Sequence, residues 1–151
     1  MMFNKKSILA MIGVLILVLI FSLVCAVAEG KETAAIETAL KVQWDKPNHP
    51  IRVPVIVTYG DYAIADWIQE PRGGRALLKR EQRGWQTLLC GATNMKQVHN
   101  LVSAGVPRED AAHLADALAQ KEKRLTDADK TLINSFKGIV DLLKEPQHHA
   151  H

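Results

Sequence analysis

An uncharged stretch of 22 residues, Ser7 to Ala28, follows the basic pair Lys5 and Lys6. Coiled as a helix at about 1.5 Å per residue, it reaches across the ~30 Å hydrocarbon layer of a membrane. It ends in Ala26-Val27-Ala28, the small-x-small pattern suited to signal peptidase. Two fates are open: cleavage after Ala28, or retention as an anchor. Both keep Lys5 and Lys6 inside and send the rest of the chain across, because basic residues resist translocation. Lipidation at Cys25 is disfavoured, since Val24 is bulky where that signal takes a small residue. The expected location is periplasmic or otherwise extracytoplasmic.

Beyond Ala28 there are 123 residues, enough for one ordinary core without disulfides. The expected organisation is a signal peptide or anchor over 1–28, one domain over 29–145 and a flexible histidine-rich tail over 146–151. The segment after Ala28 carries 17 basic and 16 acidic side chains, which is no electrostatic footprint for nucleic acid. Its only cysteine is Cys90, so no internal disulfide can form. Cys90 is then buried, a metal ligand, or an intermolecular partner.

Apolar spacing predicts an amphipathic helix from Thr33 to Trp44, stopped by Asp45-Lys46-Pro47. Val53, Val55 and Val57 alternate as in a strand, and Gly60-Asp61 forms a two-residue turn into a second strand over Tyr62–Gln69. A loop over residues 70–74 leads to a third strand, Arg75–Lys79, and a turn near Gln82-Arg83-Gly84 to a fourth, Trp85–Cys90. Ala63, Ala65 and Ala76 are small enough to let the first helix approach the sheet. Met95, Val98, Leu101 and Val102 mark a helix ending at Gly105. Pro107 suits the first turn of the next, which carries Ala111, Leu114, Ala115 and Leu118. Thr126 caps a third short helix running toward Phe136. The segment from Phe136 to Leu143 fits either a last strand or continued helix. The fold class is α+β: an N-terminal helix on a four-stranded antiparallel meander, followed by two or three C-terminal helices.

Three imidazoles, His148, His149 and His151, stand in the tail after Pro146, where they can converge on Cu(II), Ni(II) or Zn(II). A merely solvated tail is the alternative. Within the domain, Cys90, Met95 and His99 offer sulfur and nitrogen donors suited to Cu(I), and Met95 and His99 share a helical face. The plainer reading puts Cys90 and Met95 in the core and His99 on the surface. His113 reads as a boundary residue and His49 as a loop residue. Asp66 falls on the strand face of Ile64 and Ile68, so it must be paired or at an edge, with Arg75 or Arg80 the expected partner. Arg72-Gly73-Gly74-Arg75 lacks the ending of a phosphate loop and reads as a turn. No hydrolase, metalloprotease, dinucleotide or C-x-x-C motif is present, so the chain reads as non-enzymatic, with no catalytic or cofactor-binding residue assigned.

Trp44-Asp45-Lys46-Pro47, Gly60-Asp61-Tyr62-Ala63-Ile64-Ala65-Asp66-Trp67, Arg72-Gly73-Gly74-Arg75-Ala76-Leu77-Leu78, Gly84-Trp85 and Leu89-Cys90-Gly91 together form a pattern. It resembles the copper uptake system-associated proteins, a family of small exported bacterial proteins. The likeness continues through Ala104-Gly105-Val106-Pro107 and the Phe136 region to the histidine-rich end. It implies an accessory role in copper handling or uptake, with copper as the metal and a copper transport or copper-acceptor protein as partner. Two other classes compete: a periplasmic protein-interaction module whose histidines are incidental, and a small hydrolase or isomerase using Asp66 or Cys90.

Overall fold

The computed structural model of the chain describes residues 4–143. They fall into two compact units, one through Ala34 and one from Ala35. The helix α1 (Lys5–Trp44) runs through both. Its N-terminal portion is long and apolar enough to cross a membrane by length and composition, and Ile8, Leu15, Phe21 and Val27 along it are all more than two-fifths exposed. The helix stops where the sequence places the stop. Asp45 turns outward to accept a hydrogen bond from the Ile51 N–H at 2.7 Å, which sets the chain on course for the sheet.

The second unit holds an antiparallel sheet in the order β1-β2-β3-β4-β5, formed by β1 (Arg52–Tyr59), β2 (Tyr62–Gln69), β3 (Arg72–Glu81), β4 (Gly84–Gly91) and β5 (Val140–Asp141). The meander is as expected, with a fifth strand added: two residues after Gly138 pair with Leu89 and Cys90 of β4. This resolves the segment after Phe136 in favour of a strand, although a very short one. Gly60 at φ +57° makes the tight turn between β1 and β2 that a residue with a Cβ resists.

Period-two alternation divides the core between the two sheet faces. On one face, Ala63, Ala65, Ala76, Leu78 and Cys90 meet Ile36 and Leu40 of α1, both with no exposed surface. Burying each of those two side chains contributes about 1.5–3 kcal/mol. The alanines admit the helix as the sequence implies. On the other face, Val55, Val57, Ile64 and Leu77 meet α2 (Val98–Ser103), α3 (Arg108–Glu122) and Met95 of a 3-10 turn over Thr93–Lys96. The α2 end is a Schellman cap: Val106 N–H bonds Leu101 O, Gly105 N–H bonds Val102 O, and Gly105 takes φ +97°. Leu101 and Val106 are both buried in that core. Lys121 of α3 donates to the Ile56 carbonyl at 2.8 Å, covering part of the edge strand β1.

The helix α4 (Asp127–Ile133) begins at Thr126, whose hydroxyl accepts from Asp129 N–H at 3.1 Å, as the cap reading requires. It ends at Ile133, short of Phe136, which turns back to meet Trp67 edge-on at 5.7 Å. The expected loop over residues 70–74 also differs. Glu70 and Pro71, joined by a cis peptide bond, form the whole turn, and Gly73 and Gly74 lie inside β3. They serve close packing on both faces. A Cβ on Gly73 would stand 2.7 Å from the Trp67 carbonyl oxygen and 3.0 Å from the Leu132 backbone; one on Gly74 would stand 2.9 Å from the Trp67 ring.

Because the neighbours of Gly73 are backbone and cannot swing aside, Gly73→Ala should cost about 1–3 kcal/mol. The readout is a lower urea midpoint, with Gly30→Ala, which has nothing within 4 Å and lies within α1, not lowering it.

Candidate functional site

The metal donors singled out within the domain, Cys90, Met95 and His99, do not come together. Cys90 is buried on the α1 face of the sheet, with Ala76 and Leu78. Met95 is buried on the opposite face, where its side chain lies over Gly91. His99 is exposed on α2. The grouping fails because Cys90 and Met95 are separated by the sheet itself. Burial pushes the Cys90 thiol up to about 12, the reverse of what a thiolate ligand or nucleophile needs. Among the described residues no three His, Cys, Asp or Glu side chains converge on a metal-sized site. His148, His149 and His151 lie outside the described residues. His113, read as a boundary residue, is exposed on α3 and stacks on Tyr59 at 4.2 Å.

The charged residues instead build a buried ionic network. Asp66 and Arg75 are direct cross-strand partners, with 0% and 2% of their surface exposed. Arg75 was one of the two partners expected for Asp66, and its Nε lies 3.5 Å from the carboxylate. The other members of the network are not marked by any local pattern. Glu122, at the last turn of α3, accepts from Arg75 Nε at 2.8 Å and Nη2 at 2.7 Å, and it also binds Lys96. Asn134, just past α4, accepts from Arg75 Nη1 at 2.9 Å. One guanidinium thus joins the two central strands to α3 and the end of α4. Neither Asp66 oxygen has a hydrogen-bond partner among the described residues. Burial first, and then the neighbouring Glu122 carboxylate, raise the Asp66 carboxyl to about 7, against the opposing pull of Arg75.

The second feature is a cleft on the α1 face. An inner chamber of about 140 Å³ is walled by Trp44, Ile51, Trp67, Cys90, Phe136 and Leu142, with Val140 and Gln69 completing it. An outer chamber of about 330 Å³ shares Trp67, Gln69 and Phe136 with it and opens among Lys46, His49, Glu70 and Arg72. Gln69 is fixed at the junction: its side-chain nitrogen donates to the Trp44 and His49 carbonyls at 2.8 and 2.6 Å. His49, a loop residue in the sequence reading, therefore stands at the rim of a cavity. The signal that could have exposed the cleft was the recurrence of tryptophan at 44 and 67 beside the glycine pair 73–74.

No protein-family model, curated protein or solved structure matches the chain. The site is accordingly defined by its residues alone.

Asp66 makes the fold pH-sensitive in a stated direction. Its carboxyl releases its proton near pH 7 in the folded chain and near the ordinary 3.8 when unfolded. Between those values the folded state holds the additional proton, so stability falls as pH rises, by at most about 1.4 kcal/mol per unit. Asp129 acts in the opposite sense, since Arg52 holds its carboxyl below the ordinary range, and its window lies below about pH 4. Urea midpoints measured between about pH 4.5 and 7.5 should decline in the wild type and stay level in Asp66→Asn, which cannot ionise. Parallel curves would remove Asp66 as the cause.

Proposed function

We propose that the chain is an exported, non-enzymatic accessory protein in copper handling or uptake, working outside the cytoplasm on or near a membrane. The carrying observation is the exposed apolar stretch of α1. Ile8, Leu9, Met11, Leu17 and Phe21 between 44% and 72% exposed form a surface that water does not tolerate at this length and that a bilayer or an export channel accepts. The copper part rests on the three tail imidazoles and on the family resemblance. Cys90 and Met95 are enclosed on opposite faces of the sheet and do not form one soft-metal site, so in this reading capture falls to the tail. The partner in this reading is a copper transport or acceptor protein that takes the ion from the histidines.

A second reading, a periplasmic module that binds an organic ligand or protein without metal, is favoured by the cleft at Trp67. A hydrolase or isomerase role has less support, because Asp66 has no exposed surface and is engaged with Arg75.

Calorimetric titration with Cu(II), and with Cu(I) under reduction, separates the first two. A chain beginning at Glu29 should bind Cu(II), lose that binding when it ends at Gln147, and bind more weakly as pH falls through ~6.5, where the imidazoles take protons. Equal heats with and without the tail would overturn tail capture.

A further inference from the structure

The cleft on the α1 face has three properties that together specify a ligand. Its inner chamber is apolar and has about 140 Å³ of space, close to the ~150 Å³ at which an apolar cavity accepts a benzene ring. One wall residue carries an unspent donor: Trp67 Nε1 is buried and has no hydrogen-bond partner among the described residues. Buried indole N–H groups ordinarily find an acceptor. Finally, the outer chamber brings Lys46 and Arg72 to the same mouth as His49 and a single carboxylate, Glu70. Neither cation enters an ion pair among the described residues. Counting Lys46 and Arg72 against Glu70, one positive charge is left in excess.

These properties discriminate among ligands. A purely apolar molecule would leave the cations at the mouth without partners. A polyanion would gain nothing from the inner chamber and would exceed the charge at the mouth. Copper is ill suited, because the walls supply carbon surface and a protonated thiol. We propose that the cleft binds a small amphipathic monocarboxylate, with an aryl or branched alkyl group in the chamber of Trp44, Trp67 and Phe136 and the carboxylate at the mouth near Lys46 and Arg72. The walls are set in advance. Gly74 lets Trp67 and Phe136 close over β3, since a Cβ there would stand 2.9 Å from the Trp67 ring and 3.1 Å from the Phe136 Cβ. The edge-on contact of those two rings at 5.7 Å holds the aromatic wall in place. This site is independent of the tail histidines, and it stands or falls separately from the copper reading.

The test uses the full-length chain in lipid nanodiscs, with the Trp67 indole N–H resonance as readout and Trp85, which lines neither chamber, as internal control. Phenylacetate should shift the Trp67 signal saturably and leave Trp85 in place. Phenylacetamide, of the same shape but uncharged, and acetate, which lacks the ring, should each bind at least about tenfold more weakly, the worth of one charge-assisted contact or of the buried ring. Arg72→Gln, at an exposed position, should weaken phenylacetate about tenfold and leave phenylacetamide unchanged. Val140→Phe, which fills the chamber, should abolish the shift. Partition of the probe into lipid would ignore both substitutions. The proposal is overturned by the absence of a saturable shift, by equal binding of acid and amide, or by undiminished binding in Val140→Phe. If that variant unfolds, as Trp85 would report, the Arg72→Gln result and the acid–amide comparison decide.

Discussion

Arg75 holds together elements that have no covalent reason to meet. It lies in a central strand with 2% of its surface exposed, where an isolated cation would cost several kcal/mol. That cost forces the surrounding chain to supply acceptors. Asp66 comes from the adjacent strand, Glu122 from the end of α3, and Asn134 from the turn after α4. Lys96 then balances Glu122 from the 3-10 turn. Four separate segments are fixed in position by the valence of one guanidinium. Their placement determines where the chain leaves α4 and hence where Phe136 and β5 return to the sheet. The cleft owes its wall to this route.

The arrangement also explains why Asp66 retains its proton so readily. Arg75 directs its nitrogens at Glu122 and Asn134, with 2.7–2.9 Å contacts, and only skirts Asp66 at 3.5 Å. The carboxyl closest in sequence register receives the weakest compensation. Two carboxylates share one buried cation, and Lys96 attaches to Glu122, so the deficit falls on Asp66. With no exposed surface, the Asp66 carboxyl gives this acidity a conformational consequence.

What the sequence reveals and conceals follows the range of the forces involved. The turn at Gly60, the Thr126 cap and the Gly105 terminator are local, set by residues within about five positions of one another, and they are legible, as is the meander of consecutive strands joined by short turns. The alanines at 63, 65 and 76 were legible too, because a run of small residues on one strand face has a single geometric use. The pairing of Asp66 with Arg75 could be foreseen once the strands were placed side by side. Glu122 could not, since nothing local distinguishes it from the other charges late in α3. The glycines at 73 and 74 misled for a related reason. Glycine marks a turn when only its backbone freedom is considered, whereas here it marks the absence of room for a Cβ beneath α4 and between two aromatic rings.

The grouping of Cys90, Met95 and His99 shows how alternation overrides proximity in sequence. Cys90 and Gly91 are the last two residues of β4 and face opposite sides of the sheet. The chain then turns to bring Met95 down over Gly91, so the residue that follows most closely in helical spacing is placed across the sheet from the thiol. A soft-metal site formed by this trio would need Cys90 moved by one position, which would in turn remove it from the α1 core. The fold therefore spends its sulfur on packing. In the same region, two cations without an ion pair among the described residues share a mouth with one carboxylate, the kind of charge that recognises an organic anion.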